Sequence, residues 1–159
     1  MVMKKEELLN YNVKIISNGQ ETLSNILKQY TSTEQLQYCW AHLDKKQEIY
    51  KVKIKADDEY YKSLKSVVDD IEVQMAISRT CMEDAEEDLL LVANSKVILE
   101  MLIENYWDLD EVCIFSEKKN WFLVINHVFE IFFVGEELVS CFKILNDERK
   151  MFIISNGNR

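Results

Sequence analysis

Residue types that transfer protons or bind metals are few in this chain and widely spaced. The two histidines are His42 and His127, and no C-x-x-C pair occurs among the four cysteines. Cys39 and His42, three residues apart, would share a helix face, but a zinc site needs two or more further ligands. With three glycines in 159 residues, no glycine-rich loop can hold a phosphate group. We therefore predict no metal site, no cofactor and no catalytic residues.

His127 lies between two apolar runs, at the point where the chain must reverse. Residues 121–125 are W-F-L-V-I and residues 131–134 are I-F-F-V, so both predicted strands are apolar on both faces. Such strands lie in the centre of a covered sheet, and Asn126 can close a turn at its rim. His127 is then either a turn residue that bonds a backbone carbonyl, or a contact residue or general base at the mouth of a cleft. A general base also needs an orienting group and a nucleophile, and the sequence identifies neither.

Negative charge is concentrated in the middle third of the chain. Residues 57–111 hold sixteen acidic and four basic side chains, a net charge of −12, whereas the whole chain carries −9. The densest run is E-D-A-E-E-D at residues 83–88, and D-L-D-E follows at residues 108–111. The run lacks the D-x-[DN]-x-[DN]-G spacing of a calcium loop. It is therefore either a solvated acidic loop or a surface that attracts a basic partner.

A field of this sign favours one class of partner. It repels nucleic acid and anionic membranes, and it attracts a basic protein surface and speeds association with it. Trp107 ends a predicted helix beside these acids, where it either anchors a partner or, together with Tyr106, seals the core. We predict a basic protein as the partner, with no nucleic acid and no membrane. The predicted partner-binding residues are Glu83, Asp84, Glu86, Glu87, Asp88, Trp107, Asp108, Asp110 and His127.

The elements that must position these residues follow from periodicity and capping signals. Helices are predicted at residues 3–10, 20–30, 31–43, 58–69, 95–106 and 136–145; a T-S-T-E capping box opens the third, and Asp57 and Asp58 cap the fourth. Strands are predicted at residues 12–16, 50–55, 89–93, 111–116, 121–126, 130–134 and 151–154. Residues 71–77 fit either a strand or a continuation of the preceding helix, and the tail from residue 155 is expected to fray.

This order of elements predicts one α+β domain over residues 1–159, with a largely antiparallel sheet and helices packed on it. With 48% apolar residues, the chain is long enough to bury a core of its own. The alternating lysines of residues 50–55 predict a half-exposed edge strand. This strand could also pair across a two-fold axis, so both a monomer and a homodimer remain open.

The N-terminal residues and the cysteines indicate a compartment. The chain turns acidic before any apolar stretch of signal-peptide length, and no run approaches the ~18 apolar residues of a membrane span. We expect a cytoplasmic protein. Cysteines far apart in such a protein are typically buried thiols rather than a disulfide framework; here they are Cys39, Cys81, Cys113 and Cys141.

The segment from residue 89 to residue 135 resembles small bacterial immunity proteins of polymorphic toxin systems. The likeness lies in a strand, a capped helix, D-x-D-E-V-x-I-F, a turn, W-F-L-V-I-N-H and then I-F-F-V-G. Some relatives have a second histidine directly after the first, whereas this chain has Val128. The resemblance implies a stoichiometric inhibitor that binds a toxin domain in the cytosol of the producing cell. Many such toxins are basic nucleases, whose active sites an acidic protein would cover.

Our prediction is a non-enzymatic acidic binding protein, an immunity protein that neutralises a basic toxin by direct binding. Two alternatives stay open. Composition and acidity fit equally well a phage-encoded protein that binds a host defence or transcription protein. A small hydrolase that uses His127 with a cysteine or acidic partner is the other alternative, and it would require a cleft where those groups converge.

Overall fold

The fold is α+β, as the sequence predicted. The computed structural model describes residues 2–54, 59–65, 68–116, 118–149 and 153–158. The helices are α1 (Lys5–Leu8), α2 (Gln20–Tyr30), α3 (Glu59–Leu64), α4 (Ser95–Asn105) and α5 (Glu136–Arg149), and residues Cys39–His42 and Arg79–Cys81 form short 3-10 helices. The strands are β1 (Lys14–Ile15), β2 (Ile49–Ile54), β3 (Glu72–Ile77), β4 (Leu89–Asn94), β5 (Val112–Ser116), β6 (Trp121–Ile125), β7 (Glu130–Val134) and β8 (Ile153–Asn158).

These eight strands form one sheet in the order β1-β4-β3-β5-β6-β7-β2-β8, and every neighbouring pair is antiparallel. Residues 71–77, which the sequence left open, supply strand β3 next to the sheet centre. The central hairpin pairs Val124 with Phe132 and Leu123 with Phe133. These side chains are buried on both faces, which confirms the covered central strands predicted from their composition.

The alternation of the strands divides the core into two layers, one on each face of the sheet. On one face, α2 packs Leu27 and Tyr30 against Phe122 and Phe132. On the other face, α4 and α5 pack Leu102 and Phe142 with the strand residues that point the opposite way. Both faces are therefore covered, and the exposed groups concentrate where strands end.

Three expectations about secondary structure were wrong. Residues 31–43 form no α-helix, because Thr31 bonds the Leu27 and Thr33 carbonyls and pairs with Leu43 in an isolated bridge. Strand β2 is not a sheet edge, since it lies between β7 and β8. Residues 155–158 do not fray; they pair with β2.

One of the predicted helix caps is confirmed. Asn94 caps α4 as predicted, because its side chain accepts a hydrogen bond from the Lys96 amide at 2.8 Å. The predicted helix cap at Asp57 and Asp58 lies outside the described residues. Within the described ranges, no helix is long and apolar enough to span a membrane.

Candidate functional site

Three chain connections lie at the same end of the sheet. The register places Ile77 opposite Leu89 and Val112, and Val112 opposite Ile125, which in turn faces Ile131. Residues 78–88, 106–111 and 126–129 therefore meet where these strands end. We call this region the His127 end. It holds all nine residues that the sequence predicted for partner binding: Glu83, Asp84, Glu86, Glu87, Asp88, Trp107, Asp108, Asp110 and His127.

Asn126 builds the β6–β7 turn that presents His127. Its side chain is fully buried, and its Oδ1 accepts hydrogen bonds from the amides of Val128 at 3.1 Å and Glu130 at 3.0 Å. The Phe129 amide bonds the Asn126 carbonyl at 3.0 Å, and Phe129 takes a left-handed φ of 59°. The turn is thus closed from inside, which leaves His127 and Val128 exposed at its tip.

His127 bonds a carboxylate rather than the backbone carbonyl that its turn position suggested. Its Nδ1 lies 2.6 Å from Glu111 Oε1, and its backbone amide donates to the same oxygen at 3.3 Å. The Glu111 side chain is only 8% exposed, whereas that of His127 is 47% exposed. This contact occupies Nδ1 and leaves Nε2 as the ring nitrogen that can still donate or accept a hydrogen bond. Among the described residues, none bonds Nε2.

Two aromatic side chains that the sequence did not single out lie beside this histidine. The ring centroids of Tyr38 and Trp40 are each 6.3 Å from that of His127, and 6.2 Å from one another, all edge to face. Trp40 also stacks on Phe132 of strand β7. Tyr38 is 50% exposed and has a left-handed φ of 63°, a conformation that costs free energy for a residue other than glycine.

Trp107 lies against the same turn, through Phe129. Its ring centroid is 5.3 Å from that of Phe129 and 5.6 Å from that of Tyr106. Tyr106 is half-buried against the core, but Trp107 is 59% exposed. Trp107 therefore contacts the edge of the core through Phe129 and Tyr106 while most of its side chain lies in solvent. Val128, exposed at 41%, adds a further apolar side chain at the turn tip.

The acidic run at residues 83–88 is partly structural and partly exposed. Asp84 Oδ1 accepts a hydrogen bond from the Lys5 amide at 3.0 Å, and Asp88 Oδ1 accepts one from the Arg79 amide at 2.9 Å. Glu83, Glu86 and Glu87 point into solvent. The run also lines a polar cleft with residues 15–20. Its two aspartates therefore fix the loop, whereas its three glutamates supply surface charge.

Asp108 and Asp110 are half-buried in the segment that leads from α4 to β5. Asp110 lies next to a thiol, since Cys81 Sγ is 3.5 Å from its Oδ1. Burial is the main cause that raises the pKa of the Cys81 thiol to about 12, and Asp110 adds to the increase. The two aspartates are less available to a partner than the exposed glutamates.

The thiols near His127 are not activated. Burial raises the pKa of Cys39 to about 12, and the negative charge of Glu111 adds to the increase. Burial also holds the pKa of Cys113 well above its usual value. Cys39, Cys81 and Cys113 are buried and free, as predicted, but Cys141 is exposed, so the prediction of a buried thiol was wrong there. The buried thiols are protonated at neutral pH and are poor nucleophiles.

No group of three or more metal-ligating side chains occurs within the part of the chain that the structure describes. Cys39 is buried and His42 is exposed, so their three-residue spacing does not direct both at one site. Comparison with protein-family models, with curated proteins and with solved structures finds no match for this chain.

Proposed function

We propose that this chain is a non-enzymatic binding protein that uses the His127 end to bind a basic surface on another protein. One observation carries the proposal: exposed apolar and aromatic side chains share this end of the sheet with the densest acidic run. Trp107 and Tyr38 are 59% and 50% exposed, and Val128 at the tip of the turn is 41% exposed. Large aromatic side chains are the usual anchors of protein interfaces, and acidic groups around them select a basic partner.

The two kinds of group would contribute differently. The exposed glutamates at positions 83, 86 and 87 lie at the surface, where salt screens their charge, so they would mainly speed encounter with the partner. Trp107 and Tyr38 would lose water on binding and slow dissociation. Added salt should therefore lower the association rate more than it raises the dissociation rate.

In its most specific form, the partner is a basic, nuclease-like toxin and the chain is its immunity protein. The W-F-L-V-I-N-H and I-F-F-V-G pattern supports this form, because it coincides with the hairpin that presents His127. The alternative partner, a host protein bound by a phage-encoded chain, would use the same surface. A large toxin gene upstream would favour the immunity protein, and a phage early region would favour the alternative.

A hydrolase remains the second candidate, because a histidine whose Nδ1 bonds a buried carboxylate is the arrangement of a general base. Among the described residues near His127, this candidate lacks a nucleophile. Cys39 is buried and its pKa is raised to about 12. We therefore rank binding above catalysis.

The experiment is a pull-down of partners from the native host with three forms of the tagged chain, eluted in a salt gradient. The first is the unchanged chain. The second carries Glu83→Gln, Glu86→Gln and Glu87→Gln. The third is a control with the same change of charge on exposed acids elsewhere, Glu72→Gln, Glu100→Gln and Glu136→Gln.

We expect one basic protein at near-equal stoichiometry, released at lower salt from the second form than from the first and third. Recovery of the chain alone would contradict the proposal. So would a partner that all three forms release at the same salt concentration.

A further inference from the structure

We infer that the pocket between helix α2 and the β5–β6 turn binds a single neutral sugar ring. The pocket has a volume of about 270 Å³ and lies on the α2 face of the sheet, at the end opposite His127. It is separate from the surface proposed for partner binding, so the inference goes beyond the proposed function and does not depend on it. Three observations support it: two buried hydroxyls that can still donate, a lining without charge, and an apolar floor under a polar rim.

The first observation concerns the hydroxyls of Tyr30 and Ser116, which line the pocket. Tyr30 is 4% exposed, its ring is fixed by stacking on Phe122 at 4.9 Å, and among the described residues none bonds its hydroxyl. Burial raises the pKa of Tyr30, which keeps this hydroxyl protonated. Ser116 is also 4% exposed, and its Oγ accepts from the Lys119 amide at 3.2 Å, which leaves its proton to donate. Both hydroxyls therefore favour a ligand that carries acceptor oxygens.

The second observation is that the lining, among the described residues, carries no charge. Its other polar side chains are exposed carboxamides at the rim, those of Asn25, Gln29 and Asn120. Of the neighbouring lysines, Lys28 lies 3.0 Å from Glu34. Lys119 lies 3.4 Å from Asp69 and 3.3 Å from Glu137. An anionic ligand would meet no free cation in this lining and a cationic ligand no carboxylate, so a neutral ligand is favoured.

The third observation is the arrangement of apolar and polar parts. Ile26 and Phe115 are buried and form an apolar floor, whereas the carboxamides stand exposed around it. Because a carboxamide donates through its nitrogen and accepts through its oxygen, each can bond two neighbouring hydroxyls of a ligand. A sugar ring carries such hydroxyls on its edge and C–H groups on its faces, so one face can lie on the floor while the edge bonds the rim. The volume is near the lower limit of small-molecule pockets, which suits one ring.

The test is an NMR titration of the full chain, isotope-labelled on nitrogen, in which the side-chain amides of Asn25, Gln29 and Asn120 report the site. The probes are the methyl glycosides of glucose, galactose and N-acetylglucosamine, and methyl glucuronide is the charged control. We expect saturable shifts of these amides with at least one neutral glycoside, and an affinity that added sodium chloride leaves unchanged. The glucuronide should bind about fivefold more weakly than the best neutral glycoside, because its carboxylate would lose water without gaining a cation.

Variants locate the bound sugar. Tyr30→Phe removes only the hydroxyl and should weaken binding about fivefold, the usual effect of losing one neutral hydrogen bond. Asn25→Ala should weaken binding to a similar extent, and alanine is compatible with helix α2. Asn10→Ala, which removes an exposed carboxamide outside the pocket, is the matched control and should leave the affinity unchanged. Thermal unfolding of each variant verifies that it is folded.

Absence of saturable shifts with all three neutral glycosides would overturn the inference. Equal affinity for the glucuronide, or an affinity that both Tyr30→Phe and Asn25→Ala leave unchanged, would do the same. Tighter binding of the acetylated amide of L-glutamine, titrated in parallel, would also overturn it, because the pocket would then accept a carboxamide side chain in place of a sugar. The proposed function is tested separately: capture of a basic partner uses the His127 end, so Tyr30→Phe should leave that capture unchanged.

Discussion

The two ends of the sheet differ in how their polar and charged groups are used. At the end opposite His127, formed by residues 68–71, 94–96 and 118–120, Lys119 lies 3.4 Å from Asp69 and 3.3 Å from Glu137. We call this region the Lys119 end. Asn94 caps α4 there, and the Lys96 ammonium donates to the backbone carbonyls of Lys65 and Val68.

The His127 end has the opposite character. Among the described residues there, the buried carboxylate of Glu111 is hydrogen-bonded to an exposed histidine, and large apolar side chains remain in water beside it. The capping and salt-bridging side chains at the Lys119 end are paired with partners inside the chain. At the His127 end, the side chains of Trp107, Tyr38 and Val128 keep much of their surface in solvent. Under the proposed function, we expect the Lys119 end to stabilise the fold and the His127 end to bind the partner.

The largest expected loss of stability is at Ser95 of the Lys119 end. Ser95 is buried, and its Oγ donates to the Asp69 carbonyl and accepts from the Ile71 amide at 3.2 Å. Ser95→Ala should lower the free energy of unfolding by roughly 1–2 kcal/mol, because the Asp69 carbonyl and the Ile71 amide each lose a hydrogen bond to the Ser95 hydroxyl. Urea denaturation measures this loss in the free energy of unfolding. Partner capture should stay as before. An unchanged free energy of unfolding would mean that the Lys119 end is not the stabilising one.

A smaller loss is expected at the neighbouring cap. Asn94→Ala removes the oxygen that bonds the Lys96 amide, so it should lower the free energy of unfolding by about 1 kcal/mol. Asn94→Ser, which can still cap the helix and adds no charge beside Asp70, is the matched variant and should recover most of the loss in the same denaturation experiment. If both variants cost the same, the cap contributes nothing.

Lys119 should show a still smaller effect that depends on salt. Its ammonium joins two exposed carboxylates, and the same contacts raise its pKa. Lys119→Gln should lower the midpoint of thermal unfolding slightly at low ionic strength, and added sodium chloride should erase the difference. A difference that persists at high salt would show that packing of the lysine, and not its charge, matters.

Trp107 should give the smallest change in stability and a large change in binding. Because it is 59% exposed, Trp107→Ala should alter the free energy of unfolding by less than about 0.5 kcal/mol. Affinity for the captured partner should fall about tenfold or more, as measured by calorimetry. Leu9→Ala is the control for loss of an exposed apolar side chain. A large loss of stability, or unchanged affinity, would contradict the contrast between the two ends.

Local patterns were enough to predict most of the elements and part of the site. The continuous apolar runs at residues 121–125 and 131–134 predicted covered central strands, and Asn126 next to His127 predicted the turn between them. The acidic run and Trp107 were recognised by composition alone. These features depend on near neighbours in the chain, which is why a single sequence reveals them.

Other parts of the site could not be read from near neighbours. Glu111 was visible as an acid, but its contact with His127, 16 residues later, exists only because β5 and β6 pair with Val112 opposite Ile125. Tyr38 and Trp40 were assigned to a helix by the T-S-T-E signal. Instead, the Thr31 hydroxyl donates to the carbonyls of Leu27 and Thr33, and Tyr38 takes a left-handed backbone conformation.

The sequence by itself determined the fold class, the covered strands, the cap at Asn94 and the sign of the charge, because each follows from side-chain type and short-range periodicity. Only the tertiary structure decided which connections share an end of the sheet. Strand order and register do so, by bringing residues 38–40, 106–111 and 126–129 around one histidine. Such long-range contacts arise from burial of two apolar faces at once, which no local pattern encodes.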